Sequence, residues 1–212
     1  MNPSSESSIL ILASASPRRR DLLNLAGVPH RIQAAEVDET AGLAEDAKDY
    51  ALRMAQTKAQ ALADKHPRSW ILAADTVVVI DGKTLGKPAD RDSGRSMLKS
   101  LSGRAHEVFS AVALLGPDQT QHQLLARTEV RFRTLDERLI EAYLDTGEPF
   151  DKAGAYGIQG QGAMLVKSIS GSYTNVVGLP LCETIELLEQ VGVYSPFAVQ
   201  GQQQHAIAGG HG

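Results

Sequence analysis

Apolar residues along this chain fall into short unbroken runs and into stretches spaced three or four apart. The run ILILA (9–13) predicts a strand buried on both faces, and so does WILAADTVVVI (70–80). Between them, AKDYALRMAQTKAQALADK (47–65) sets Ala51, Met54, Ala55, Ala59 and Leu62 on one helical stripe, and Lys58 falls on that same stripe. HEVFSAVALL (106–115) and ARTEVRFRTL (126–135) read as strands, the second through the alternation of Val130 and Phe132, and GAMLVKSI (162–169) reads as another. Helices are predicted over 92–103, closed by Gly103, and over 179–192, with Pro180 near its start. A further helix carries Leu139, Ile140, Tyr143 and Leu144; TLDE (134–137) opens it as a capping box, and Gly147 and Pro149 end it. DGK (81–83) marks a hairpin turn, and KAGAYGIQGQG (152–162) a glycine-rich loop. Strands and helices alternate irregularly, without an internal repeat, which predicts an α/β fold on a mixed sheet. One domain is expected over 9–194, with disordered ends at 1–8 and in the polar, Gly/Gln-rich stretch 195–212. His205 and His211 in that tail are too isolated to predict a metal site.

The stretch SASPRRRDLLNLAG (14–27) contains a charge conflict. Ser16 suits an N-cap, Pro17 the first helical position and Gly27 the stop. The unpaired N–H groups and dipole of a helix N-terminus favour anions, yet Arg18, Arg19 and Arg20 occupy the first turn. A helix that follows a buried strand presents its N-terminus at a sheet edge, where α/β proteins bind ligands. An anion there, held by the arginine forks and by the hydroxyls of Ser14 and Ser16, resolves the conflict. Arg18 and Arg19 are expected to contact phosphate and Arg20 to face solvent or a carboxylate. The stretch is neither a Walker A loop nor a Rossmann fingerprint, and Gly157, Gly160 and Gly162 alone are a weak signal.

Composition sharpens that expectation. The 212 residues carry 21 Lys and Arg against 25 Asp and Glu, a net charge of −4, so any basic site is local and a general nucleic-acid surface is disfavoured. Cys182 is the only cysteine, which excludes an internal disulfide and points to a reducing, cytoplasmic setting; no leader or membrane span is predicted. Asp75, inside an apolar strand, is costly as an ion unless it is paired or binds metal. The alternative is a strand broken at Asp75. Lys87, in GKP beyond the hairpin, is expected near it, and Glu39 in VDET offers a second carboxylate for Mg²⁺ beside phosphate.

The motifs SASPRRRDLL, VDE, AADTVVVIDGKTLGKP and GEPFDKAGAYGIQGQGAMLV…GSYTNVVGLPL together resemble the Maf family of nucleoside triphosphate pyrophosphatases, over about residues 9–192. The resemblance implies two lobes around a deep cleft, similar to the inosine triphosphatase fold. It also implies hydrolysis of a nucleoside triphosphate to monophosphate and pyrophosphate with a divalent cation, Mg²⁺ or Mn²⁺, and it suggests a homodimer. Arg18, Thr76 and Gln159 match the pattern of the branch that acts on dTTP and UTP, so these three are expected to set substrate specificity. A Trp at the first position and a Glu at the third would point instead to 7-methyl-GTP.

Under that resemblance Arg18, Arg19, Lys58 and Lys87 neutralise the triphosphate, Glu39 and Asp75 hold the metal, and Asp75 is the proton acceptor for the attacking water. Gln159 offers the donor and acceptor that the imide edge of uracil or thymine requires. Modified pyrimidine triphosphates are within the expected range. Rival readings are a 7-methyl-GTP pyrophosphatase, a nucleotide-sensing regulator of cell division, and an RNA-binding module, the last disfavoured by a 5% aromatic content.

Overall fold

The computed structural model describes residues 9–43 and 45–197. The expected disorder at 1–8 and beyond 197, with His205 and His211, lies outside the described residues. The axis of the fold is β3 (Trp70–Ile80), which runs unbroken through Asp75. It pairs in parallel with β1 (Leu10–Leu12) and antiparallel with β5 (Ala105–Leu115). β2 (Arg31–Ile32) extends the β1 side, and β6 (Gln121–Phe132) and β7 (Val166–Ser170) extend the other, giving the order β2-β1-β3-β5-β6-β7 in a seven-stranded sheet. The seventh strand, β4 (Lys83–Leu85), returns on β3 through a two-residue turn. Asp81 and Gly82 both have positive φ there (50° and 70°), the geometry that makes Asp-Gly a hairpin signal. Val78 pairs at once with Leu85 of β4 and Val108 of β5, so β4 lies on the same edge of β3 as β1. The mixed sheet predicted from the sequence is the one that forms.

The period of two along β3 divides the core. Ile71, Ala73, Val77 and Val79 pack against Ala51, Ala55, Ala59 and Leu62 of α2 (Ala47–Ala63), whose alanines let the helix approach the sheet closely. On the other face, Leu72 and Ala74 meet Leu22 and Leu23 of α1 (Pro17–Leu25) and Leu187 and Leu188 of α6 (Leu181–Gln190). Farther along that face, Val78 and Ile80 meet Leu98 and Leu101 of α3 (Arg91–Leu101) and Ile140 and Leu144 of α4 (Glu137–Asp145). One face of β3 therefore carries a continuous core and the other carries two cores, which meet at Thr76. The two lobes follow from that division.

Several boundaries differ from expectation. The N-cap of α4 is Asp136, which accepts from the Leu139 N–H at 2.7 Å, and not Thr134. Leu135 is tied to the end of α3, its N–H donating to Ser102 Oγ (2.8 Å) and its carbonyl accepting from it (3.2 Å), and the helix starts after it. Residues 161–165 form a 3₁₀ turn in place of the first half of the predicted strand, and α5 (Tyr173–Val177) was not predicted. Strand β6 starts at Gln121, where polar residues extend the pairing with β5. Among the described residues no helix is long and apolar enough to cross a membrane.

His106 on β5 is 2% exposed, with Phe132 and Tyr156 at right angles to its ring. Its Nε2 lies 2.8 Å from the Tyr156 hydroxyl, and Nδ1 has no partner among the described residues. Burial pushes its pKa down to about 4. Between pH ~6.5 and that value the unfolded chain binds the proton and the fold does not, so stability falls as pH falls, by roughly 3 kcal/mol near pH 4. Thermal melts should therefore show Tm dropping more steeply below pH 6.5 in the wild type than in His106→Gln. Parallel profiles would remove His106 from the acid response.

Candidate functional site

The middle of one β3 edge is bare. β1 pairs with residues 70–72 and β4 with 78–80, and residues 73–77 have no strand partner on that side among the described residues. A cleft of about 970 Å³ opens over this gap, ample for a nucleotide. Asp75 and Thr76 point to opposite faces of the sheet, and both reach the cleft because it straddles an edge. All the residues selected from the sequence line it: Ser14, Ser16, Arg18, Arg19, Glu39, Lys58, Asp75, Thr76, Lys87 and Gln159.

Helix α1 begins as expected, with Pro17 in the first position and Ser16 extended before it. The Ser16 side chain makes no capping bond, its N–H bonds Ser14 Oγ at 3.2 Å, and no acidic residue stands in the first turn. The three arginines then diverge. Arg20 is exposed and paired with Asp21 at 2.8 Å. Arg18 reaches across the cleft to Asp151 of the other lobe, at 3.6 Å.

Arg19 turns inward. Its Nε donates to the Gly178 carbonyl (2.8 Å), Nη1 to Ser14 Oγ (3.2 Å) and Nη2 to Thr76 Oγ1 (3.2 Å). Three of its five N–H donors are thus spent on the protein. Burial pushes its pKa down, against the attraction of Asp75, and the guanidinium stays charged. Thr76 Oγ1 is also 2.8 Å from Ser110 Oγ, which donates to the Asn175 carbonyl at 3.0 Å. Thr76 therefore belongs to a hydrogen-bonded chain that fixes Arg19.

Asp75 is 8% exposed, and its Oδ1 accepts from Lys58 Nζ at 2.7 Å. The same ammonium lies 2.7 Å from Glu39 Oε1, so one cation bridges two carboxylates. The Lys58 hydrogen bond holds Glu39 below the usual carboxylate range, and Tyr50 fixes its backbone by donating to the Glu39 carbonyl at 2.8 Å. Lys87 is exposed on the far lobe and forms no ion pair with Asp75; Lys58 is the partner. No group of three or more metal-binding side chains occurs among the described residues. Two carboxylates at a phosphate site nonetheless suit Mg²⁺, which takes one or two of them and completes its shell with phosphate oxygens and water.

The far wall carries the glycine-rich loop. Gln159 is exposed on it and makes no hydrogen bond to other described residues. Glu148, Asp151 and Lys152 line this wall too, with Lys152 Nζ donating to the Glu148 carbonyl (2.7 Å) and Asp151 Oδ1 (2.6 Å). Sequence reasoning gave these three no role. The signal was a Glu-x-x-Asp-Lys run directly before the glycines.

The chain is similar to known proteins over most of its length. The family model described as Maf-like protein matches residues 9–191. A dTTP/UTP pyrophosphatase of Myxococcus xanthus (strain DK1622) is 47% identical over 192 residues, covering 91% of this chain and 97% of the relative. A dTTP/UTP pyrophosphatase of Symbiobacterium thermophilum is 50% identical over 185 residues, covering 86% and 94%. Among solved structures, a HAM1 protein from Coxiella burnetii aligns over 86% of this chain and 99% of its own, at 15% identity and a TM-score of 0.48. With the family model spanning nearly the whole described chain and relatives near half identity over most of it, this protein belongs to the Maf-like protein family.

Proposed function

We propose that this chain hydrolyses dTTP and UTP to the nucleoside monophosphate and pyrophosphate in this cleft. The observation that carries the reading is the opposition of two kinds of chemistry across one gap. A cation-lined helix N-terminus and the buried Asp75–Lys58 ion pair face a loop that presents a free amide. Phosphates belong at the first and a base at the second. The names of relatives at 47 and 50% identity support the choice of base.

In this reading the triphosphate lies against the α1 N-terminus, with Arg18, the two spare Arg19 donors and the Ser16 hydroxyl on its oxygens and Lys87 closing from the other lobe. Arg18 exchanges Asp151 for phosphate. Lys58 holds Asp75 through Oδ1, which leaves Oδ2 to accept from an attacking water. The water oxygen bonds to the α-phosphorus, its proton passes to Asp75, and the bond from the α-phosphorus to the bridging oxygen breaks to release pyrophosphate. Asp75 and Glu39 would hold a divalent cation, Mg²⁺ or Mn²⁺, which supplies charge neutralisation on the phosphate oxygens. Gln159 meets the N3–H and a carbonyl of thymine or uracil with its acceptor and donor.

A nucleotide panel tests the reading: pyrophosphate release should be strong from dTTP and UTP, weak from dCTP and purine triphosphates, and lost in EDTA. Equal rates on all bases would refute the base assignment.

Asp75→Asn should lower kcat by about 10²-fold or more, as expected for a lost general base. The Lys58–Glu39 pair survives the change, so the variant should still melt cooperatively, and near wild-type turnover would take Asp75 out of the mechanism.

The arginines should separate in two measurements. Arg18→Ala should lose on the order of tenfold in kcat/KM for one charge-assisted contact, with little change in Tm. Arg19→Ala should lose activity and Tm together, since Ser14, Thr76 and the Gly178 carbonyl lose their donor. Arg20→Ala should change neither by much, and uniform losses at all three would argue for a diffuse electrostatic patch.

A further inference from the structure

The loop that carries Gln159 is held by a single carboxylate beneath it. Glu148 starts the 3₁₀ turn Glu148–Asp151 just after α4. Its Oε2 accepts from the Gln161 N–H at 2.8 Å, and Oε1 accepts from the Gly162 N–H at 3.0 Å and the Tyr143 hydroxyl at 2.8 Å. That hydroxyl in turn accepts from the Gly157 N–H at 3.2 Å. Backbone donors before and after Gln159 thus converge on one Tyr–Glu pair. Tyr143, on α4, is 4% exposed and packed in the core, so the pair ties the loop to the rigid part of its lobe.

The close approach explains the glycines. A Cβ on Gly160 would overlap the Glu148 carboxylate, and one on Gly162 would stand 2.5 Å from the Tyr143 hydroxyl. Burial works to raise the Glu148 pKa, but the Gly162 and Gln161 N–H groups and the Tyr143 hydroxyl outweigh it and hold the group below the usual range. An ionised carboxylate is acceptor-only, which three converging donors require. A glutamine in its place would turn an NH₂ group toward N–H donors.

We propose that Glu148 is a positioning residue for base selection, fixing through Tyr143 and the loop backbone the orientation in which Gln159 meets the base. The proposal rests on the reading of Gln159 as the base-contacting residue. An amide free to turn over satisfies cytosine as well as thymine, because the two present reversed donor and acceptor patterns. Discrimination therefore needs the loop backbone beside the amide held in place against the base, and the Glu148 bonds hold that backbone.

The test measures kcat/KM for dTTP and dCTP, with Tm, in Glu148→Gln, Glu148→Asp, Tyr143→Phe and Gln159→Ala. Glu148→Gln should reduce the dTTP:dCTP ratio on the order of tenfold, chiefly through KM for dTTP, with dCTP cleavage held or raised. Glu148→Asp, which keeps the charge, should recover part of the ratio. Tyr143→Phe keeps the core packing and should move the ratio the same way by less, which covers the case in which Glu148→Gln does not fold. A ratio lost in Gln159→Ala but unchanged in folded Glu148→Gln, or in Tyr143→Phe should the former not fold, would overturn the role of Glu148. A ratio unchanged in Gln159→Ala would overturn the proposal through its premise.

Discussion

One strand has to bury both faces and leave the middle of one edge open. β3 meets this constraint by pairing with β5 along its length and with β1 and β4 only at its ends. An unpaired edge inside a protein costs free energy unless its polar groups face water or a ligand. The cleft is the consequence. Short β1 and short β4 leave the gap, α1 enters it from one lobe, and the glycine-rich loop borders it from the other.

The second requirement is a place for the Asp75 charge. Removing an unpaired carboxylate from water costs several kcal/mol, and Lys58 offsets that cost from α2. The helix interface is almost all alanine and leucine, and its one cation meets the one anion that the strand offers. That match sets the docking of α2 against β3, and by adding Glu39 it leaves the cluster with one net negative charge facing the cleft. The ion pair is therefore a packing constraint, and in the proposed reaction it also holds the base.

The arginine cluster resolves into three tasks. Arg20 is a surface residue, Arg18 spans the mouth of the cleft, and Arg19 joins the α1 N-terminus to β3 and to the carbonyl at the end of α5. Thr76 was expected, with Arg18 and Gln159, to set substrate specificity, and it lines the cleft. Its hydroxyl bonds Arg19 and Ser110, so the side chain also supports the arginine.

Local pattern was enough for the elements with strong periodicity. The unbroken run 70–80, the alanine stripe with Lys58 on it, the Asp-Gly hairpin and the Pro17 start all form as their side chains dictate, because each depends on neighbours within a turn or two. The charge conflict at residues 18–20 and the carboxylate at 75 were legible for the same reason: each breaks a local rule at a known cost. Strand order, the bare edge of β3 and the division of its outer face at Thr76 come from pairings between residues far apart in the chain. So do the start of α4, delayed by Ser102, and the choice of Lys58 over Lys87 as the partner of Asp75. The work of Glu148 was hidden because hydrogen-bond convergence on a carboxylate has no period. The sequence by itself determined which residues carry charge and which stretches must be buried. Only the tertiary structure decided which charges meet, because a charge pairs with whatever the packing of apolar faces brings within reach.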